Sequence, residues 1–140
     1  MRFLLIIILL ILSLQSSLAQ FSIFITNIKE NKGHILAAIY NSENTFLNES
    51  AYYKILTIEI KAKHASYSLD TLPAGYYAIS LFQDINKNKK LDTNLIGVPI
   101  EPYGFSNNAM GTFGPPSYQK AKFYYNGKKL DISIILKKLI

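Results

Sequence analysis

Apolar residues recur at every second position in short blocks along most of this chain, and turn residues separate the blocks. Phe21, Ile23 and Ile25 alternate with Ser22 and Thr26, and Ile35, Ala37 and Ile39 resume the pattern after Asn31-Lys32-Gly33. Successive strand side chains point to opposite faces, so this alternation predicts half-buried strands, with a hairpin over residues 21–40. Leu56, Ile58 and Ile60 oppose Thr57, Glu59 and Lys61 in the same way, and Tyr67 with Leu69 marks a further strand. Residues 76–82, following Pro73-Ala74-Gly75, are aromatic and apolar enough for the middle of a sheet. Residues 122–125 and 130–136 flank Asn126-Gly127, a pair that accepts the positive φ of a tight hairpin. Residues 96–100 read as one more short strand, and a helical turn fits within 46–53. Short strands at this spacing predict an all-β fold, a sandwich or a barrel, and best a single antiparallel β-sandwich of about seven strands, Ig-like in plan.

Ahead of these blocks stand Arg2, an uninterrupted apolar run from Leu4 to Leu12, and Ser17-Leu18-Ala19. That order predicts a secretory signal peptide over residues 1–19 with cleavage before Gln20, and nine apolar residues are too few to span a bilayer. The expected product is a single domain, residues 20–140, exported to the periplasm or secreted, with no membrane span once the signal is removed. The chain has no Cys, so neither a disulfide nor a lipid-modified cysteine is available. The formal charge is +6, and loss of Arg2 leaves +5 with no arginine remaining. Scattered lysines without Arg argue for solubility or attraction to acidic surfaces rather than nucleic-acid recognition.

Two segments interrupt the alternation. The first, Asp84-Ile85-Asn86-Lys87-Asn88-Lys89-Lys90-Leu91-Asp92, carries oxygen side chains at loop positions one, three, five and nine. Asp84, Asn86, Asn88 and Asp92, with the carbonyl of Lys90, could surround one hard cation such as Ca2+. Lys89 stands where the calcium-loop glycine belongs and Leu95 where the bidentate Glu belongs, and three lysines oppose a cation. The alternative is a turn in which Asp and Asn bond their own backbone. The second segment, residues 101–117, shows no periodicity and reads as a long ordered loop. Its Glu101, Tyr103, Phe105, Asn107 and Asn108 are the candidate ligand-binding residues, and a loop that caps the sandwich is the alternative.

Catalytic constellations are hard to assemble from this sequence. Only His34 and His64 could serve as triad bases, neither lies in a metal-binding spacing, and no phosphate-cradling glycine loop occurs. Both histidines read as surface or strand-edge residues, so no catalytic residue is assigned.

Leu72-Pro73-Ala74-Gly75-Tyr76-Tyr77-Ala78, the Asp84–Asp92 run, Gly97-Val98-Pro99, Glu101-Pro102-Tyr103-Gly104-Phe105-Ser106-Asn107-Asn108 and Gly114-Pro115-Pro116-Ser117-Tyr118 together resemble an exported bacterial family, domain of unknown function 2141. The likeness covers nearly all of residues 20–140. It implies an exported one-domain protein without an established activity, and it implies glycines where Lys87 and Lys89 stand. Leu-Pro-x-Gly-Tyr-Tyr is also similar to transthyretin-like and carboxypeptidase-regulatory-like sandwiches. The hydroxyisourate hydrolases of that architecture need a C-terminal Tyr-Arg-Gly-Ser, whereas this chain ends Leu136-Lys137-Lys138-Leu139-Ile140. The expected function is a non-catalytic binding or structural module of the cell envelope, contacting a protein or glycan through residues 84–94 and 101–117. A calcium-stabilised structural domain and a hydrolase with a Glu101-centred cleft are the alternatives.

Overall fold

The computed structural model describes residues 20–140 apart from Thr71, so the expected signal peptide lies outside the described residues. Eight strands form two sheets: β1 (Phe21–Thr26), β2 (His34–Tyr40), β3 (Lys54–Ile58), β4 (Ala65–Leu69), β5 (Gly75–Asp84), β6 (Tyr103–Phe105), β7 (Phe123–Tyr125) and β8 (Leu130–Ile135). One sheet has the order β4-β1-β8. The other has the order β3-β2-β5-β6, with β7 also paired to β5. All pairings are antiparallel except β1 with β8, which run parallel from Phe21↔Leu130 to Thr26↔Ile135. The one α-helix among the described residues, α1 (Tyr118–Ala121), is a single turn.

The alternation does what it predicts for burial. Phe21, Ile23 and Ile25 of β1, Ile35, Ala37 and Ile39 of β2, and Leu56 and Ile58 of β3 all enter one core cluster. Ile28, Ala65, Leu69, Leu72, Tyr77, Ile79, Leu81, Tyr125, Ile134 and Leu136 complete it. Each fully buried Ile contributes roughly 1.5–3 kcal/mol. The two sheets therefore pack face to face, and the chain is a β-sandwich in this sense. A smaller cluster on the far side of β5 holds Ala78, Tyr118 and Ala121, with Phe46 packed against it. Phe46 is wedged edge-on between the rings of Tyr40 and Tyr118. The Tyr77 hydroxyl donates back to the Pro73 carbonyl at 2.8 Å, a corner contact familiar in sandwiches.

Both expected hairpins are absent. β1 and β2 lie in opposite sheets, as do β7 and β8. The reason is the same in each case. The inner faces of β1 and β2 are both apolar, and burying them against each other removes more surface from water than pairing them edge to edge. The link between them begins at Asn27, in the left-handed region at φ 64°, and drops Ile28 into the core. The Asn27 amide donates to the Leu136 carbonyl at 2.6 Å, which ties this crossing to the end of β8. At Asn126-Gly127 the turn forms, with Gly127 at φ 79°, but its flanks diverge to β5 and β1.

Residues 96–100 form no strand; Thr93 and Pro99 share only an isolated bridge, and Leu95 and Ile96 stand in solvent. The helical turn falls at Glu43–Thr45, ahead of its expected place, because Ser42 caps it by accepting from the Asn44 N–H. Residues 101–117 are not a uniform loop, since they contain β6 and a 3-10 turn over Ser106–Asn108. β6 is short and pairs with β5 where Gly104 lies against Ile134; a Cβ there would approach the Ile134 methyl to 2.7 Å.

Tyr125 is fully buried, and its hydroxyl finds no hydrogen-bond partner among the described residues. Burying that group without a partner is costly, so Tyr125→Phe should raise unfolding stability by about 1 kcal/mol, read from urea denaturation.

Candidate functional site

β2 and β5 end side by side, with His34 opposite Asp84, and this pairing sets the base of the first loop. Gly33 makes the approach possible. Its φ of 66° suits glycine, and a Cβ there would overlap the Asp84 carbonyl. Asp84 is completely buried, yet both its oxygens are occupied. Oδ1 accepts from the Asn88 N–H at 3.0 Å, and Oδ2 accepts from the Lys89 N–H at 2.9 Å with the His34 Nε2 3.2 Å away. Two backbone donors, with the His34 ring beside them, offset the cost of burying this carboxylate.

The rest of the loop closes on itself. Asn86 Oδ1 accepts from the Asn88 N–H, and Asn88 Oδ1 accepts from the Lys90 N–H. The Asn86 and Asn88 carboxamides each donate to one oxygen of Asp92, at 2.6 and 2.9 Å. The four side chains named from spacing therefore do converge, and the Lys90 N–H joins them. To wind this tightly, Lys87 and Lys89 adopt φ of 62° and 65°. These are the two positions at which the family resemblance implies glycine, and the left-handed backbone is the reason.

Glu101 lies directly beneath. It is buried, with Oε1 accepting from the Ile85 N–H at 2.8 Å and Oε2 from the Asp92 N–H at 3.1 Å. One carboxylate thus bridges the start and end of the Asp84–Asp92 loop. Gln83, buried and unremarked in the sequence, works similarly: its side-chain amide donates to the Glu30 and Lys32 carbonyls, and its backbone N–H to the Pro102 carbonyl.

The remaining candidates brace the two sheets. Tyr103 is half-buried, exchanges backbone hydrogen bonds with Lys137, and packs edge-on against buried Phe105. Burial pushes the Tyr103 phenol pKa above its ordinary value. Ser106 has no exposed surface; its hydroxyl accepts from the Ile79 N–H at 2.9 Å and donates to the Ala121 carbonyl at 2.6 Å. Asn107, at φ 58°, donates through its amide to the Lys122 carbonyl at 2.8 Å, and Asn108 Oδ1 accepts from the Ile135 N–H at 2.9 Å. Consecutive residues therefore hold β5, the end of α1, the start of β7 and β8. Sequence reasoning missed Ser106, Gln83 and the His34–Asp84 contact, since buried polar residues without periodicity leave no pattern.

His64 lies elsewhere, in a groove between the β3 and β4 edges that also involves Thr57, Glu59, Ser66 and Tyr67. Among the described residues no group of three or more His, Cys, Asp or Glu side chains is placed to hold a metal ion. No helix among them is long and apolar enough to cross a membrane.

A family model described as an uncharacterized protein conserved in bacteria (DUF2141) matches residues 23–133. No curated protein and no solved structure gives a significant match.

Two substitutions test this geometry. Glu101→Gln turns an NH2 group toward one backbone N–H, and should cost about 1.5–3 kcal/mol of stability in urea unfolding. It should also speed amide exchange at Ile85 and Asp92. Lys89→Gly removes the Cβ from a left-handed residue and should raise stability by about 1 kcal/mol by the same measurement.

Proposed function

This chain belongs to the DUF2141 family, and we propose that it is an exported, non-catalytic module of the cell envelope that contacts another envelope component through residues 84–94 and 101–117. The carrying observation is the Glu101 carboxylate, which joins the two segments into one preorganised unit. Preorganised loops lose little entropy on binding. The acidic groups support the non-catalytic reading, because Asp84, Asp92 and Glu101 each spend both oxygens on internal donors. None stands poised toward a substrate proton. The side chains buried as braces, Phe105 and Ser106, are scaffold in this reading, and the contact belongs to what the scaffold exposes. Phe113, wholly in solvent, and the lysines of the first loop are such groups.

A photo-crosslinking side chain placed at Lys89 or Phe113 should capture envelope material in cells, while one at exposed Glu59 should not. Equal labelling from all three positions, or none from Lys89 and Phe113, would count against the surface.

The convergence of Asn86, Asn88 and Asp92 favours a second reading, a calcium-stabilised domain. Turning both carboxamides over would set their oxygens beside those of Asp92, and Asp84 with the Lys90 carbonyl would complete the set in this reading. The cation would have to displace the two amide-to-Asp92 hydrogen bonds and the two that the carboxamide oxygens accept from the Asn88 and Lys90 N–H groups. A ligand that binds only the folded state raises the melting temperature. A rise of several degrees between chelator and millimolar calcium is the expected outcome of this reading, and identical melting curves discard it.

A further inference from the structure

The turn that follows the Asp84–Asp92 loop is tightly built and yet carries two bare aliphatic side chains. Asn94 organises it: its Oδ1 accepts from the N–H groups of Ile96 and Val98, and its carbonyl accepts from the Gly97 N–H. Thr93 bridges Pro99, and the Ile100 N–H donates to the Asp92 carbonyl. The tip is therefore held in place, and Leu95 and Ile96 at its end are 107% and 84% exposed. A hydrogen-bonded turn that keeps two adjacent branched side chains in water gains nothing from them in the isolated fold.

The charge beside this tip is one-sided. Lys87, Lys89 and Lys90 are exposed, and none of them forms an ion pair among the described residues. The acidic residues of the same stretch face inward. Asp84 and Glu101 are buried, and Asp92 is bonded to the two Asn amides. An outward cationic loop adjoining a protruding aliphatic tip has the chemistry of a membrane-surface contact, in which lysines meet anionic headgroups and short apolar side chains enter the acyl boundary.

We propose that Leu95 and Ile96, flanked by Lys87, Lys89 and Lys90, dock this protein on an anionic lipid bilayer surface. The proposal rests on the lysines of residues 84–94 in the surface proposed above, extends that surface to the adjoining Leu95–Ile96 tip, and names the component it contacts.

Vesicle flotation tests it, using residues 20–140, since every strand and core residue described closes within that span and the apolar leader would bind lipid by itself. The wild type should float with vesicles containing phosphatidylglycerol, should float poorly with phosphatidylcholine alone, and should be released by salt. Leu95→Ser with Ile96→Ser should weaken binding about tenfold or more without moving the melting temperature. Lys87→Gln, Lys89→Gln and Lys90→Gln together should abolish the preference for phosphatidylglycerol. Undiminished flotation of the Ser variant, or no flotation of the wild type, would overturn the proposal. Self-association lost in the Ser variant without any vesicle binding would overturn it in favour of a second copy of this chain. Crosslinks from Lys89 to an envelope protein without flotation would overturn the lipid occupant and leave the broader function standing.

Discussion

Burial of the inner face of β1 against that of β2 is the contact on which the rest of this structure depends. Phe21, Ile23 and Ile25 meet the cluster that contains Ile35, Ala37 and Ile39, and every one of the six is 0–1% exposed. Because that contact is face to face, consecutive strands are sent to different sheets. The edges of β1 are then open to β4 on one side and β8 on the other. β8 takes its place in parallel, which brings the last of the eight strands beside the first. Parallel neighbours need a long crossover, and here the crossover is most of the domain.

That arrangement leaves a gap to close where the two sheets part, and residues 101–108 close it. Their polar side chains are spent on backbone: Glu101 on Ile85 and Asp92, Ser106 on Ile79 and Ala121, Asn107 on Lys122, and Asn108 on Ile135. A buried polar group costs free energy unless paired, so these residues specify one arrangement of the surrounding elements. The compact 3-10 turn with Asn107 in the left-handed region lets adjacent side chains reach β5, the end of α1, the residue before β7, and β8. The molecule has no disulfide to do this work, and hydrogen bonds from one short segment do it instead.

The same economy shapes the surface. Drawing the carboxylates of Asp84, Asp92 and Glu101 into internal bonds leaves the lysines of that loop unneutralised on the outside. The Asp84–Asp92 turn, the Leu95–Ile96 tip and residues 101–105 hang from one another through Glu101, Gln83 and the Ile100–Asp92 bond. Rigidity at the base is what allows exposure at the tip.

Alternation by itself determined which residues are inside. Ile23, Ile35, Leu56, Ile58 and Ile134 are buried where a period of two puts them, because strand geometry is local and a side chain's face follows from its position. The turns at Asn126-Gly127 and over Asp84–Asp92 were legible for the same reason, since turn chemistry acts within a few residues. Pairing partners were not legible. Whether Phe21–Thr26 joins its neighbour in sequence or crosses to β4 and β8 depends on which faces the whole chain can bury, and no local signal carries that. Nor did the sequence distinguish a binding loop from a brace in Glu101–Asn108, because the same Tyr, Ser and Asn serve either use. Tertiary structure supplied the bracing contacts of Ser106, Asn107 and Asn108 by bringing Ile79, Lys122 and Ile135 within hydrogen-bonding reach, contacts between residues 15 to 27 positions apart.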